Sequence, residues 1–273
     1  MFVRTPDDLA AAGRVVSLNN GAVTSARVIT AADGIGFSYN ENRIPAGSSF
    51  KLWYKNHWEG NYVVSGGGLV THLETGETVA LKAGILYVVG PNDPHRIEIT
   101  EDIHVLSIFC PALKGDERHD ADGAYPASGP VPQTDRRMFV KDADQMRAEG
   151  KELTLRSGAA SLRMLTKADD VGFGFSVVNS PGYGEATLWY KNHWEANHIL
   201  SGSGEVTDLT TGESWKLFPG VSYNVGPKDR HLLKNQDIVL VSIFCPPLVG
   251  NEAHDDDGAL SASGPIPPGP PGY

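Results

Sequence analysis

The sequence predicts an all-β protein that consists of two tandem copies of one double-sheet jelly-roll barrel. The string LWYKNHWE occurs at 52–59 and again, unchanged, at 188–195, and such an internal repeat fixes the organisation of a chain before any other feature. Within each copy, short apolar segments alternate with turns rich in Gly and Pro. Regularly spaced short strands of this kind indicate an antiparallel sandwich or barrel.

The repeat extends over both halves of the chain. MFVR at 1–4 returns as MFVK at 138–141, THLETGE at 71–77 as TDLTTGE at 207–213, and VLSIFCP at 105–111 as LVSIFCP at 240–246. We therefore predict two domains, 1–137 and 138–273. The first ends in a Pro/Gly-rich linker at 126–137, and the second ends in a similar tail at 261–273 whose end is expected to be disordered.

Two copies are too few for a solenoid. We interpret them as the duplication and fusion of a protein that once paired with itself, which predicts a pseudo-two-fold dimer within one chain and leaves further homodimerisation open.

The strand pattern fits a cupin-type barrel in each copy, with one short helix at the start of each. The helices are expected at 6–13 and 142–149, each after an Asp-rich start, and the glycine run at 65–68 is expected to form a turn. The strands expected in the first copy are 26–30, 35–40, 50–54, 61–65, 69–73, 78–81, 85–89, 96–99 and 103–109.

Composition excludes several classes of protein. The 273 residues carry a formal charge of −10 without any Lys/Arg cluster, so nucleic acid is not an expected partner, because phosphate binding needs a basic face. No apolar run has the length of a membrane span or the form of a signal peptide. Two cysteines do not make a disulfide framework, and Cys110 and Cys245 are expected to be small buried hydrophobes in a cytoplasmic protein.

Three residue types recur in both copies at identical spacing. Glu, Tyr and His are separated by 28 and 8 residues each time. On inward-facing strand positions they would converge in the barrel, where such hard and borderline donors suit Fe(II), Mn or Zn. The alternatives are core-filling tyrosines and hydrogen-bonded histidines, since duplication alone also preserves spacing. The candidate ligands are Glu59, Tyr87 and His95, and Glu195, Tyr223 and His231.

Other polar residues lie near these candidates in both copies. His57 and His193 precede each Glu by two residues, which places them on the same strand face. Tyr54 and Tyr190 open the same string. A Glu-x-His pair follows the last strand of each copy; its alternative interpretation is a solvated acidic loop. These pairs are Glu117 with His119 and Glu252 with His254.

Three separated motifs then carry a family resemblance. YKNHWEANHILSGSGEVTDLTTGE, PGVSYNVGPKDRH and FCPPLVGNEAHDDDG resemble ectoine synthase, a small iron-dependent cupin, and the resemblance covers nearly all of both copies. It implies a metal-dependent cyclising hydro-lyase acting on the zwitterion N-acetyl-diaminobutyrate or a related amino amide. The amine would attack the acetamide carbonyl, and water would leave as a cyclic amidine forms. Fe(II) is the implied metal, with Zn and Mn as alternatives.

The resemblance also implies roles for individual residues. It assigns the metal to both Glu–Tyr–His sets and catalytic roles to Tyr54, His57, Glu117, His119, Tyr190, His193, Glu252 and His254. It assigns substrate contacts to Ser25, Arg27, Asn40, Asn42 and Phe109, and to Ser161, Arg163 and Phe244.

Both copies depart from the family's pattern at the pocket: Asn42 and Val178 stand in place of its Thr, Val23 and Ala159 in place of its Trp, and the second copy also has Ser176 in place of its Asn. Ser176 and Val178 stand where the first copy has Asn40 and Asn42, so the metal chemistry is expected to be retained more fully than the substrate. Two other hypotheses remain open at this point. One is an Fe(II)-dependent cupin oxygenase of specialised metabolism, and the other is a non-catalytic bicupin that binds a small molecule.

Overall fold

The computed structural model describes residues 1–18, 21 and 23–273. The chain forms two compact units: the first barrel, Leu9–Gln145, and the second barrel, Met1–Asp8 with Met146–Tyr273. No helix within the described ranges is both long enough and apolar enough to cross a bilayer.

Each repeat contributes one short α-helix and a series of strands. The first repeat contains β1 (Phe2–Arg4), α1 (Pro6–Ala11), β2 (Val15–Leu18), β3 (Val23–Ile29), β4 (Ser38–Ile44), β5 (Ser49–Leu52), β6 (Trp58–His72), β7 (Thr78–Leu81), β8 (Ile85–Val89) and β9 (His95–Cys110). The second repeat contains β10 (Phe139–Asp142), α2 (Ala143–Ala148), β11 (Glu152–Thr154), β12 (Ala160–Leu165), β13 (Gly174–Leu188), β14 (Trp194–Asp208), β15 (Ser214–Leu217), β16 (Ser222–Val225) and β17 (His231–Cys245). The all-β prediction and the two short helices are confirmed.

The strands of each barrel pair in an antiparallel sheet. The first barrel has the order β10-β8-β6-β9-β4-β3-β2, with β5 on β9 and β7 on β6. The second has the order β1-β16-β14-β17-β13-β12-β11, with β15 on β14. Inward-facing side chains of each sheet form one apolar core, as the alternation of a two-faced sheet requires.

The first strand of each repeat lies in the sheet of the other repeat's barrel. β10 pairs with β8, where Val140 lies opposite Tyr87, and β1 pairs with β16, where Val3 lies opposite Tyr223. Val140 packs against the core of the first barrel and Val3 against that of the second. The compact units therefore do not follow the repeat boundary before Met138. The first barrel includes β10 and the first half of α2 from the second repeat, and the second barrel includes β1 and the first half of α1 from the first repeat.

The predicted turn at 65–68 is wrong, because this segment continues β6. The pairing of β6 with β9 shifts register at Ser65 and again at Gly67, so the glycines bend the strand without ending it. At Gly66 φ is +82°, and a Cβ atom there would lie 2.1 Å from the Asp102 carbonyl oxygen. Only glycine fits a backbone this close to its neighbour.

We expect Gly66→Ala to lower the free energy of unfolding of the first barrel by about 3 kcal/mol or more, because φ strain adds to a backbone clash. Gly47→Ala is the matched control: its φ is +83°, but nothing lies within 4 Å of its Cβ position. This control should lose only about 1 kcal/mol. Urea unfolding measures the free energy of unfolding of both variants. Equal losses of stability would show that the close approach to Asp102 does not contribute to the effect.

The C-terminal tail is held against the second barrel, so the prediction that its end is disordered is wrong. The ring of Tyr273 lies 4.4 Å from that of Trp194, and its hydroxyl accepts a hydrogen bond from the Lys228 amide at 2.7 Å. Trp194 Nε1 also donates to the Pro267 carbonyl at 3.0 Å. The linker repeats this contact, because Trp58 Nε1 donates to the Pro132 carbonyl at 2.9 Å.

Candidate functional site

A polar cavity lies inside each barrel. In the first barrel, the sequence-predicted site residues that line it are Arg27, Asn40, Asn42, Tyr54, Glu59, Tyr87, Phe109 and His119. In the second barrel they are Tyr190, Glu195, Tyr223 and His254. The other predicted site residues, the candidate ligands His95 and His231 among them, are not part of these linings.

The candidate Glu and Tyr ligands of each barrel are neighbours on one sheet face. Asn61 on β6 pairs with Tyr87 on β8, and Glu59, two residues before Asn61, points to the same side of the sheet. Asn197 pairs with Tyr223 in the same way. Each Glu–Tyr pair is therefore a diagonal cross-strand pair with both side chains in the cavity.

Burial disfavours the ionised form of both glutamate side chains. It raises the pKa of Glu59 to about 8 and that of Glu195 to about 7. Burial also raises the pKa of Tyr87 and of Tyr223 well above the usual value, and the neighbouring glutamate raises it further. A nearby cation would reverse this preference, because a positive charge favours the ionised form of each ligand.

The candidate His ligand of each barrel presents one ring nitrogen without a hydrogen-bond partner. His95 is fully buried, and its Nδ1 lies 2.9 Å from the Asp93 carbonyl oxygen. Because a carbonyl only accepts, Nδ1 carries the hydrogen and Nε2 keeps its lone pair. This Nε2 is buried with no partner, and so is Nε2 of His231, whose Nδ1 lies 3.1 Å from the Asp229 carbonyl.

These buried, partnerless nitrogens fit a metal-binding role. A metal-ligating histidine characteristically anchors one ring nitrogen on a carbonyl or carboxylate and offers the other to the ion, and burial lowers the pKa of His95 to about 4, which keeps it neutral. Within the described part of the chain, no group of three or more His, Cys, Asp or Glu side chains could hold a metal. The third donor of each set is a phenol, and the rings of Tyr223 and His231 lie 6.2 Å apart.

A Tyr–His pair closes each cavity on the side of the Glu-x-His loop. The Tyr54 hydroxyl lies 3.2 Å from His119 Nε2, and the Tyr190 hydroxyl lies 3.1 Å from His254 Nε2. The histidine of each Glu-x-His pair thus belongs to the cavity wall. His57 Nε2 lies 3.0 Å from Ser128 Oγ, and His193 Nε2 lies 3.1 Å from Ser263 Oγ. Each ring also packs edge to face against a phenylalanine, Phe109 or Phe244.

The glutamates of the two Glu-x-His pairs are held by their own loops. Glu117 accepts hydrogen bonds from the amides of Lys114 (2.5 Å) and Gly115 (2.8 Å). Glu252 has the equivalent amide partners and also a buried ion pair with Arg163, at 2.7 Å. Although burial acts in the opposite direction, the amides and the arginine keep the pKa of Glu252 below its usual value.

Several polar residues of the cavities were not predicted from the sequence. Asn61 accepts a hydrogen bond from Ser107 Oγ at 2.5 Å, and Asn42 links this pair to Ser25. Asn61 carries a usable signal, because it follows Glu59 by two residues in both copies. Tyr125, which stacks on His119 at 4.2 Å, had no such signal, since its counterpart is Leu260.

We expect the stability of the chain to fall as the pH drops from about 6.5 to about 4, partly because of His119 and His254. Burial lowers the pKa of His119 to about 4 and also lowers that of His254. In this window the unfolded chain therefore binds protons that the folded chain does not bind, so unfolding is favoured as the pH falls.

The double variant His119→Gln/His254→Gln should reduce the slope of unfolding free energy against pH by up to about 1.4 kcal/mol per pH unit for each histidine. Urea unfolding of the metal-free chain between pH 4 and 6.5 measures it. An unchanged slope would mean that neither histidine is kept neutral by the fold.

Comparison with known proteins identifies a family whose model matches both repeats. The family model described as ectoine synthase matches residues 1–129 and 138–263. The L-ectoine synthase of Mycolicibacterium vanbaalenii is 38% identical over 128 residues, which are 47% of this chain and 97% of that protein. That of Sphingopyxis alaskensis is 39% identical over 126 residues, 46% of this chain and 91% of that protein.

Solved structures resemble the chain over both repeats. Oxalate decarboxylase from Lactobacillus farciminis has a TM-score of 0.66 at 12% identity, covering 91% of this chain and 87% of that chain. The protein Ylba from E. coli has a TM-score of 0.61 at 14% identity, covering 89% of each chain. At such identities the likeness concerns the fold alone, and it confirms the cupin architecture of the two barrels.

Proposed function

Because the chain belongs to the ectoine synthase family and is an ectoine synthase-like carbon–oxygen lyase, we propose that it closes N-acetyl-diaminobutyrate, or a related amino amide, into a cyclic amidine. The amine nitrogen forms a bond with the amide carbon, the bond from that carbon to oxygen breaks, and the oxygen leaves as water. The observation that carries the proposal is the pair of buried, partnerless nitrogens of His95 and His231, each of which belongs to a candidate set whose Glu and Tyr line a cavity.

The proposed metal ligands are the two sets Glu59, Tyr87, His95 and Glu195, Tyr223, His231. Fe(II) is the first choice, with Zn and Mn as alternatives, because oxygen and imidazole donors suit these ions. A cation held there would polarise the amide carbonyl of the substrate as a Lewis acid. Three protein ligands leave coordination positions open, as a catalytic site requires.

The remaining polar groups of the first cavity are proposed to bind the substrate carboxylate and to donate the proton that the departing oxygen needs. Arg27 is buried beside Asn40 and offers a cation to the substrate carboxylate. Tyr54 keeps its proton at neutral pH because burial raises its pKa well above the usual value, so it can donate to the departing oxygen. His119, neutral at the same pH, can carry its hydrogen on Nε2 and donate it to the Tyr54 oxygen, which leaves the phenol hydrogen for the substrate and places a proton to replace it.

The apolar walls hold the substrate folded. Tyr54 and Phe109 meet edge to face, with ring centroids 5.4 Å apart, and both line the cavity together with Tyr125. Rings packed in this way leave a chain-like substrate little freedom, so its amine and carbonyl can be kept near attack distance. Cys110 and Cys245 are buried and are not joined in a disulfide, which supports the further proposal that the reaction takes place in the cytoplasm.

The test is an anaerobic assay of the full chain. Metal is removed with a chelator and Fe(II) is restored, and N-acetyl-diaminobutyrate is followed by proton NMR. We expect the cyclic amidine to form only in the metal-loaded sample, at the same rate with and without dioxygen. Turnover that requires dioxygen would instead identify a cupin oxygenase, and the absence of any product would refute the proposed reaction.

A further inference from the structure

The two cavities differ in how they hold their buried arginine. Arg27 is 3% exposed, and with the Asn40 amide turned to face it, the amide oxygen accepts from Nη1 at 2.5 Å. Tyr125 is its other side-chain partner. Both partners are neutral, and Arg27 makes no ion pair with any carboxylate of the described ranges. The first cavity therefore contains a cation that its own walls do not neutralise.

In the second cavity the equivalent arginine is neutralised. Arg163 Nη1 lies 2.7 Å from Glu252 Oε2, and Nη2 donates to the Glu252 carbonyl at 2.6 Å. Both side chains are 5% exposed. The cause lies in two neighbours: Ser176 replaces Asn40 and Leu260 replaces Tyr125, so Arg163 has lost the neutral partners that hold Arg27.

This difference changes what each cavity can bind. A buried charge without a counter-ion is unfavourable, and a ligand carboxylate relieves that cost. In the second cavity a carboxylate would have to displace Glu252, which the Val249 and Gly250 amides also hold. Val178, in place of Asn42, further removes an amide that could have donated to a carboxylate.

Charged side chains surround the mouth of the second cavity. A depression next to it shares Glu185, Ala186 and His254 with the cavity lining. Its carboxylates each have a cation nearby: Lys234 Nζ lies 3.9 Å from Glu185, Lys191 Nζ 3.7 Å from Asp255 and Arg156 Nη1 2.9 Å from Asp256. In the first barrel, Phe50 and Ser49 occupy the positions of Ala186 and Glu185. The second mouth is therefore less obstructed than the first, and it has carboxylates at Glu185 and Asp256 where the first barrel has Ser49 and Ala121.

We propose that the two barrels divide the substrate range, and that the second cavity takes cationic amino amides without a carboxylate, the class of mono-acylated diamines. This rests on the proposed cyclisation and keeps its chemistry. The free amine attacks the acyl carbon, a C–N bond forms, the C–O bond breaks and water leaves, so that a tetrahydropyrimidine without a carboxylate is produced. The first cavity retains the acylated diamino acid.

The experiment compares two substrates that differ only by the carboxylate: N-acetyl-1,3-diaminopropane and N-acetyl-diaminobutyrate. The Fe(II)-loaded full chain is assayed with each compound as wild type, Glu59→Ala and Glu195→Ala. The loss of diamine turnover should be at least about tenfold greater in Glu195→Ala than in Glu59→Ala, with the reverse ranking for the diamino acid. Calorimetry should find one diamine site per chain, lost only in Glu195→Ala.

A swap of pocket residues tests the cause. In the Glu59→Ala background, Ser176→Asn/Val178→Asn/Leu260→Tyr should raise diamino acid turnover by at least about tenfold, because Arg163 regains neutral partners. The smaller swap Leu260→Tyr serves if the triple variant does not fold, and it should move turnover in the same direction.

The outcomes separate the two proposals. If the wild type cyclises the diamino acid but neither binds nor cyclises the diamine, or if Glu59→Ala abolishes both activities, the division of substrates is overturned and the proposed function stands. If neither compound is cyclised by the wild type, the proposed function itself fails. Retained diamine turnover in Glu195→Ala would also overturn the division.

Discussion

Turnover of N-acetyl-diaminobutyrate and of N-acetyl-1,3-diaminopropane should fall by at least about 1000-fold in the double variant His95→Ala/His231→Ala, since metal Lewis acidity contributes several kcal/mol to such reactions. The substitution removes His95 Nε2 and His231 Nε2, two buried nitrogens that have no hydrogen-bond partner. The rings of Tyr54 and Tyr190 lie 6.0 Å from those of His95 and His231, but each of these hydroxyls is already engaged with the histidine of its Glu-x-His pair.

His104→Ala is the matched control for that variant. His104 lies outside both cavity walls, with its Nε2 2.8 Å from Glu41 Oε1, so turnover should stay within about twofold of the wild type. Circular dichroism of all variants checks that the barrels remain folded. Full activity in the double variant would mean that the reaction does not use the Glu–Tyr–His sets.

The second large effect that we expect is a difference in turnover between variants of the two proposed carboxylate ligands. Glu59→Ala should reduce turnover of N-acetyl-diaminobutyrate at least about 100-fold, whereas Glu195→Ala should reduce it no more than about twofold. The reason is the pocket around each ligand: Asn40, Asn42 and the unneutralised Arg27 surround the first, while Arg163 is paired with Glu252 beside the second.

Steady-state kinetics of the two single variants decide this, and each serves as the other's control because both carboxyl groups are buried to the same degree. A larger loss in Glu195→Ala would reverse the ranking of the two cavities. Equal partial losses would show that both barrels handle the carboxylated substrate.

The repeat, the all-β class and the positions of the candidate ligands could be predicted because each depends on local pattern. Glu59 and Tyr87 are found by spacing and by strand alternation, which fixes the face of a residue whatever its partners. The pairing of β10 with β8 could not be predicted in this way. The repeat places β10 in the second copy, and no local signal says which sheet edge a short strand will join.

The glycines of β6 show a second limit of prediction from the sequence. Gly66, Gly67 and Gly68 give the pattern of a turn, but the close approach of Asp102 turns them into bulges within a long strand. The Arg163–Glu252 ion pair shows a third limit of prediction from the sequence. Both copies have this Arg and this Glu at matching positions, and only the identity of their neighbours in space, Ser176 and Leu260, decides that the ion pair forms in one barrel and not in the other.

The central claim, that each barrel holds one metal ion through its Glu, Tyr and His, is tested most directly by counting bound iron. Equilibrium dialysis of the metal-free chain against saturating Fe(II) without oxygen should give two ions per chain for the wild type. His95→Ala and His231→Ala should each retain one ion, and the double variant should retain none. At most one ion in the wild type, or two in the double variant, would contradict the account.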